Sequence, residues 1–279
     1  DYRKLIKFGE SSHVISLPTS WIKKNNLKKG DHIYFEENGN KELLISPVKK
    51  EKEKVDKKIV IGVDGKGRKQ LIREIVNAYL NNFNIIKFEG NEIAKKSEII
   101  RDITQNLVAL QTIEQTNNYI LVKDFLDIDT TSADNLIRKI DLIIRVILID
   151  MVSVLEGKEV GGLEQKEKDI NKLAFLAEKG IRYSIVNGRE NPMELVAKLH
   201  LVNTLESFAD EVKRLIRTLK DERINKSIRS RISKILTAGN EFYVETIKAY
   251  HTHNKQLTFE LTHKKDELLD MCSGLLDDN

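Results

Sequence analysis

NPMELVAKLHLVNTLESFADEVKRLIRTLK, residues 191–220, has the pattern of one long amphipathic helix. Proline stands in the first turn, where a helix tolerates it, and neither glycine nor another proline follows within the segment. Apolar residues recur every seven positions, at Leu195, Val202, Ala209 and Ile216. This spacing predicts a helix that packs into a bundle, about 45 Å long at ~1.5 Å per residue.

One edge of this predicted helix is acidic. Glu206 and Asp210 are four positions apart, so they share a face on which two carboxylates repel each other. Asp210 has Lys213 one turn further on, whereas Glu206 has no cation three or four residues away. A solvated helix edge accounts for this pattern, and so does a group of oxygen ligands that converge on a hard cation. The spacing alone leaves both interpretations open.

Composition limits the class of protein. The chain has 279 residues, enough for two or three domains, and a net charge of only +4. Its single cysteine, Cys272, excludes an internal disulfide framework and a thiolate-rich zinc site. No run approaches the ~18 apolar residues of a membrane span, and no signal peptide opens the sequence. We therefore expect a cytoplasmic protein without membrane insertion.

Residues 1–48 form a short, β-rich segment. A short helix is predicted to begin at Pro18, and two strand-like runs joined at residues 38–40 predict a closing hairpin. So few residues cannot close a core alone, and we expect them to pair with a second chain. The first 30 residues hold seven basic side chains against Asp1 and Glu10. That balance suits contact with a phosphate backbone, but it also suits an ordinary solvated surface.

The run KLIKFGESSHVISLPTSWIKKNNLKKGDHIYFEENGNKELLISP resembles the swapped-hairpin domain of AbrB/SpoVT-type regulators. The resemblance rests on the first strand, the Ser-Leu-Pro-x-x-Trp helix start, the Leu-Lys-Lys-Gly-Asp turn and the closing hairpin. Members of that family form intertwined dimers and usually bind DNA through basic residues of the N-terminal strands. The resemblance implies a DNA-binding homodimer. Its implied contacts are Arg3, Lys4, Lys7 and His13, followed by Lys23 and Lys24.

The middle of the chain predicts a linker and a small domain. Residues 49–58, KKEKEKVDKK, are dense in charge and are typical of a linker. Residues 59–129 show the order β-α-β-α-β-β, which predicts a small α/β sandwich. The loop at residues 62–67 follows a strand and opens a helix, as a P-loop does, but Arg68 and Lys69 stand where a P-loop has lysine and serine or threonine. A nucleotide site is therefore not favoured, although a looser anion contact at the helix N-terminus stays open.

Residues 130–279 predict an up-and-down bundle of antiparallel helices with short connections. The first helix follows a capping-box-like start at residues 131–134 and carries Asp150 on its apolar seam, where a lone acid would be desolvated. The next, near residues 163–186, carries Asp169 beside its inward-facing residues. Two further helices, at roughly 224–253 and 257–276, follow the one at 191–220.

A second resemblance covers most of the helical segment. Residues 156–215 are similar to the PhoU repeat, whose Glu-x-x-x-Asp signature is matched by Leu205-Glu206-Ser207-Phe208-Ala209-Asp210. The acidic pattern of the preceding helix is matched at residues 167–169. In that family, acidic residues of the signature bind metal ions. The resemblance thus implies a divalent or ferric ion bound by Glu206 and Asp210, with Asp169 and Asp150 as further candidates. Only one clear signature is recognisable here.

The whole chain is therefore predicted to be an α+β multidomain protein. Its parts are a dimeric swapped-hairpin unit at 1–48, the linker at 49–58, a small α/β domain at 59–129 and a PhoU-like antiparallel helical bundle at 130–279. This arrangement is that of archaeal-type PhoU-like regulators of phosphate uptake. The resemblance implies a cytoplasmic regulator that binds DNA and senses or docks through its metal-binding helices. The alternative is an interaction subunit that docks on a phosphate transporter ATPase or a sensor kinase without binding DNA.

An enzyme is not expected. No Ser/His/Asp or Cys/His set, no complete phosphate loop and no His-rich metal site able to activate water is recognisable. His251 and His253 are spaced so that a helix points their rings to different faces, and we expect them, with His263, to be surface histidines.

Overall fold

The computed structural model describes residues 2–37, 43–48, 56–188, 190–220 and 226–277. The turn predicted at 38–40 and most of the linker predicted at 49–58 lie outside these residues. The chain divides into two compact units. The first comprises Asp1–Val55 with the short segment Gly188–Asn191, and the second comprises Asp56–Asn187 with Pro192–Asn279.

The N-terminal unit contains two small antiparallel sheets and one short helix. Its elements are β1 (Ile6–Phe8), β2 (Ser12–Val14), α1 (Thr19–Lys24), β3 (Tyr34–Glu37) and β4 (Leu43–Ser46). β1 pairs with β2 and β3 pairs with β4. Gly9 supplies the positive φ of +72° that the tight turn between β1 and β2 requires. Pro18 precedes α1 in an extended conformation, so the predicted helix start is confirmed.

Side-chain burial sets this unit apart. None of the side chains at residues 2–35 and 43–48 is buried. Apolar side chains are left in water, including Phe8 at 70% exposure and Leu5 at 68%. Trp21 is half-buried. The unit therefore has no apolar core among these side chains.

The second unit begins with a two-layer α/β sandwich. Its elements are β5 (Lys58–Gly62), α2 (Arg68–Leu80), β6 (Ile85–Glu89), α3 (Ile93–Gln105), β7 (Leu110–Gln115) and β8 (Tyr119–Asp124). The sheet order is β5-β6-β8-β7, with β5 and β6 parallel and the other pairs antiparallel. The parallel pair requires a crossover, which α2 provides, whereas β7 and β8 need only a short turn. The predicted order of strands and helices is confirmed.

Five helices complete the second unit. They are α4 (Ala133–Leu155), α5 (Leu163–Val186), α6 (Pro192–Leu219), α7 (Lys226–Thr252) and α8 (Lys255–Asp277). α4, α5 and α6 pack against one another, α7 packs against α4, and α8 packs against α7. The predicted stripe of α6 is buried, with Val202 and Ile216 fully enclosed. Within the described residues, none of the helices combines the length and the apolar character of a membrane span.

A buried ion pair joins the sandwich to the helices. Lys179 of α5 donates to the carboxylate of Asp124 at the end of β8, and the two side chains are 2% and 5% exposed. The Lys179 ammonium also lies 4.0 Å from the ring centroid of Tyr79, on α2. Burial lowers the pKa of Lys179, although the charge of Asp124 opposes this shift. This buried pair is therefore one of the contacts through which α5 packs on the sandwich.

Candidate functional site

The basic residues predicted to bind DNA are all exposed. Arg3 and Lys4 precede β1, and Lys7 in β1 is directly opposite His13 in β2. Side chains alternate between the two faces of a strand. Lys7 and His13 therefore lie on one face of the hairpin, and Ile6, Phe8 and Val14 lie on the other. The hairpin has a basic side and an apolar side.

Lys23 and Lys24 form the last turn of α1, where the helix dipole favours cations. Neither these two lysines nor Arg3, Lys4, Lys7 or His13 forms an ion pair with another residue in the described ranges. Among the side chains that the structure describes, none neutralises these positive charges. Such unpaired, exposed cations are what a phosphate backbone attracts.

The acidic edge of α6 includes two residues besides the predicted Glu206 and Asp210, namely Lys213 and Glu167. Lys213 donates to Glu167 of α5 and to Asp210, its Nζ lying 3.3 Å from the Asp210 carboxylate oxygen. Partial burial raises the pKa of Glu206, and the charges of Asp210 and Glu167 add to that rise. Four charged groups thus come together where α5 and α6 pack, three carboxylates and one ammonium.

Asp169 and Asp150, the other two predicted metal ligands, have separate partners. The Asp169 carboxylate accepts a hydrogen bond of 2.8 Å from Gln165, within α5. Asp150 is partly buried and is paired with Lys166 at 2.8 Å, so the desolvated acid expected on this seam has a cation beside it. The structure places neither of them in the group around Glu206.

Glu167 is the residue that sequence reasoning did not select. It lies two positions before Asp169, and residues two apart on a helix do not share a face. Asp169 therefore lies on a different face of α5 from Glu167, and its role as a ligand stays a prediction. The proximity of Lys213 to Asp210 was visible from their spacing, but its contact with Glu167 depends on how α5 and α6 pack.

The chemistry of this edge suits a hard cation in one respect only. Carboxylate oxygens are appropriate ligands for such an ion. However, Lys213 already supplies a positive charge to Glu167 and Asp210. In the described parts of the chain, no group of three or more His, Cys, Asp or Glu side chains has a geometry that could hold a metal ion. The metal site stays a prediction.

Comparison with known families gives one match. The family model described as "Antidote-toxin recognition MazE, bacterial antitoxin" matches residues 6–53. The matched range contains both hairpins and α1. This region is thus similar to a MazE/AbrB-type domain, which supports the N-terminal DNA-binding unit inferred from sequence. No curated protein matches the chain, and no solved structure does.

The match ends before the second unit begins. It therefore provides no support for the resemblance of residues 130–279 to the PhoU repeat. That resemblance, with the role in phosphate uptake that it implies, stays a prediction.

Proposed function

We propose that this chain is a DNA-binding regulator and that its N-terminal unit works as a homodimer. The observation that carries the proposal is the family match over residues 6–53. The geometry of the same region supports it in two ways: one face of the β1–β2 hairpin is basic, and the other leaves apolar side chains in water. A second copy that packs on the apolar face would leave the basic face free.

The proposed contact is with the phosphate backbone. Arg3, Lys4 and Lys7 lie close together in sequence and bear no carboxylate partner within the described residues. Lysine and arginine that neutralise phosphates release condensed counterions, so binding weakens as salt rises. Backbone contacts of this kind give affinity and position but do not select a sequence. His13, Lys23 and Lys24 would extend the same surface.

The proposal is tested with the full chain and fluorescent DNA duplexes of several unrelated sequences, at a series of salt concentrations. Replacing Arg3, Lys4 and Lys7 together by glutamine should weaken binding to every duplex. The log–log salt slope should become shallower by up to about 2.7, at ~0.9 for each phosphate that the variant no longer neutralises.

A control variant loses the same charge from the second unit. Arg73, Lys69 and Lys95 are exposed and make no ion pair within the described ranges, and their replacement by glutamine should leave binding unchanged. Equal weakening by both triple variants would mean that only net charge matters. No binding by the intact chain at low salt would favour the alternative, an interaction subunit that does not bind DNA.

The finer assignment rests on the PhoU resemblance. We propose a cytoplasmic regulator of phosphate uptake, in which the helices sense a signal or dock on a partner. A phosphate transporter ATPase and a sensor kinase are the partners that the resemblance implies. The alternative is an interaction subunit that docks on the same partners and does not bind DNA.

We also propose that Glu206 and Asp210 bind a divalent or ferric ion, together with Glu167. Such an ion would have to compete with Lys213 for two of these carboxylates. Added Mn²⁺ should therefore raise the melting temperature of the intact protein modestly, and that of Lys213→Met more. The variant with Glu206→Gln and Asp210→Asn should not respond. If all three proteins respond alike, or none does, the edge is not a metal site.

A further inference from the structure

One face of α4 leaves large apolar side chains in water. Leu142, Val146 and Ile149 are 62%, 44% and 60% exposed. Successive members are four and three positions apart, so the three side chains lie in one line along the helix. The outer face of a surface helix is usually polar, and this one is not. We call these three residues the outer stripe of α4.

The remaining sides of α4 are already packed. α5, α6 and α7 all contact this helix, and the residues it buries extend from Leu136 to Val154. All of the buried side chains except Asp141 are apolar. The middle of α4 is thus apolar nearly all round, and a helix of that kind is normally enclosed on every side. Within the described residues, neither a helix nor a strand covers the outer stripe.

Charges of opposite sign flank the outer stripe. The exposed residues Arg138 and Lys139 precede it, and the exposed Glu156 follows it at the end of α4. Arg138 and Glu156 are eighteen positions apart, which is five full turns at 3.6 residues per turn. These two side chains therefore lie on the same line along the helix, one at each end of the stripe.

The flanking charges can reach a new partner. Arg138 lines the same cleft as Glu194 of α6, but the described structure shows no ion pair between them. Glu156 pairs with Lys158 at 2.6 Å, and the two side chains are 52% and 67% exposed. An exposed pair of this kind contributes little stability, so it is readily exchanged for another.

A second copy of α4 in the opposite direction matches this pattern. When two identical helices lie antiparallel about a two-fold axis, each line of one helix faces the same line of the other. The two outer stripes then meet at the centre, and Arg138 of each chain comes opposite Glu156 of the other. The face is therefore self-complementary in both shape and charge, as a two-fold interface requires.

The contact is too small to hold two chains together by itself. Three apolar side chains from each copy do not bury the roughly 1,000 Å² that a stable interface needs. Two chains joined through their N-terminal units, however, keep their second units at an effective concentration on the order of millimolar. A weak contact suffices under that condition, so the inference rests on the homodimer of the proposed function.

We infer that α4 forms a second contact between the two chains of the dimer. The two copies of α4 lie antiparallel, with outer stripe against outer stripe and Arg138 against Glu156 of the other chain. This contact takes the apolar stripe out of water. It also joins the helices of the two chains into one assembly, so that they do not move independently.

The test is cross-linking of the full chain with a short bis-maleimide reagent. Its natural cysteine is removed by Cys272→Ser, and Val146→Cys places one thiol in the middle of the outer stripe. Cross-linking should convert most of the protein to a covalent dimer on a denaturing gel. The control is Val60→Cys in the same background, since Val60 lies in β5 and is 56% exposed. That protein should stay largely uncross-linked.

Charge reversal tests the antiparallel arrangement. Arg138→Glu in the Val146→Cys protein should reduce cross-linking about threefold or more, because acids then face each other at both ends. Adding Glu156→Arg should restore it. Within one chain these residues are about 27 Å apart at ~1.5 Å per residue, so the rescue requires contact between two copies. The melting temperature of each variant checks that it is folded.

The outcomes separate this inference from the proposed function. A wild type that sediments as a dimer, without cross-linking through Val146→Cys, overturns the inference and leaves the homodimer standing. The stripe would then be free for a different protein. A monomeric wild type overturns both.

Two further results would contradict parts of the inference. Failure of Glu156→Arg to rescue Arg138→Glu would exclude the antiparallel arrangement. Phe8→Glu with Val14→Glu, which removes the apolar side of the N-terminal hairpin, should abolish cross-linking. Undiminished cross-linking in that variant would show that the α4 contact does not depend on the N-terminal unit.

Discussion

The two units of this chain differ in how they treat their apolar side chains. In the second unit, α2, α3 and the sheet enclose one apolar core, and α4 to α7 enclose another. In the N-terminal unit, no described side chain at residues 2–35 and 43–48 is buried, and Phe8, Leu5 and Tyr2 are largely exposed. A unit with enclosed apolar cores can fold as a single chain. A unit whose apolar side chains lie in water needs a surface supplied by another molecule.

The physical cause of this difference is the length of the secondary-structure elements in each unit. β1 and β2 have three residues each, and a two-stranded hairpin is at best marginally stable in water. A long amphipathic helix such as α6 instead presents an apolar stripe to its neighbours along its whole length. Three predictions test this contrast, beginning with the largest effect.

Asp124→Asn should destabilise the second unit strongly. The substitution leaves the ammonium of Lys179 buried without a counter-charge, which typically costs about 3–5 kcal/mol, the scale for removing one partner of a buried pair. Urea unfolding of the full chain, followed by helix content, measures the loss. Adding Lys179→Met should recover most of the stability, because the second buried charge is then removed.

The control for Asp124→Asn is Glu211→Gln, which breaks the exposed pair with Arg214. That change should alter stability by no more than about 0.5 kcal/mol. A loss below about 1 kcal/mol for Asp124→Asn would show that the polar contact does not hold the sandwich and the helices together.

The N-terminal unit should make the protein a dimer. Sedimentation at micromolar concentration should give about twice the chain mass of 32.1 kDa. Phe8→Glu combined with Val14→Glu should dissociate the dimer, since each apolar side chain that the proposed dimer would bury contributes about 1.5–3 kcal/mol. Deleting residues 1–48 should do the same.

A matched control for dissociation is Ile113→Glu, which changes a side chain of β7 that is 47% exposed. That variant should sediment with the same mass as the wild-type dimer. The proposed role of the apolar hairpin face would be contradicted if the wild type sediments as a monomer. It would also be contradicted if the protein stays a dimer after residues 1–48 are deleted.

The smallest expected effect concerns Glu206. Its pKa is raised above the ordinary value of 4.5, first by partial burial and then by the charge of Asp210. The folded state therefore holds this proton to higher pH than the unfolded state does. Stability from this group is present below pH 4.5 and is lost as the pH rises through the raised pKa.

Glu206→Gln should consequently be more stable than wild type at pH 7, by no more than about 0.5 kcal/mol because the group is only partly buried. The advantage should vanish at low pH. Urea midpoints at both pH values measure it, with the exposed Glu211→Gln as the reference. A Gln variant that is less stable at pH 7 would show that the carboxylate is held by a cation rather than repelled by its neighbours.

Much of the second unit could be predicted from local patterns. The seven-residue recurrence in α6, the alternation of strands and helices before it, and the position of Glu206 and Asp210 on one face all depend on residues close in sequence. A helix or strand has a fixed period, so side chains a few positions apart have a defined relation before any packing occurs. The basic character of the first 30 residues was also predictable, because a count of charged side chains does not depend on the fold.

Other features depended on which elements meet in space. Glu167 reaches Lys213 because α5 packs on α6, and Lys166 reaches Asp150 because α4 packs on α5. His251 is half-buried, although its spacing from His253 predicted a surface position, because the end of α7 lies beside the first turns of α4 and α6. Partner distances of this kind are set by interhelical packing, which no local period encodes.

Local sequence was thus sufficient for the order of the elements, the apolar stripe of α6 and the basic character of the first 30 residues. Hydrophobic periodicity and turn residues act over a few positions, and a charge count requires no fold. Which charges are neutralised depends instead on how the chain folds. Lys213 turns an acidic edge into a mixed-charge group, Lys179 becomes a buried partner of Asp124 from 55 residues away, and Arg138 has no ion-pair partner among the described residues. Electrostatic and desolvation energies depend on separations through space, and only the folded chain sets those separations.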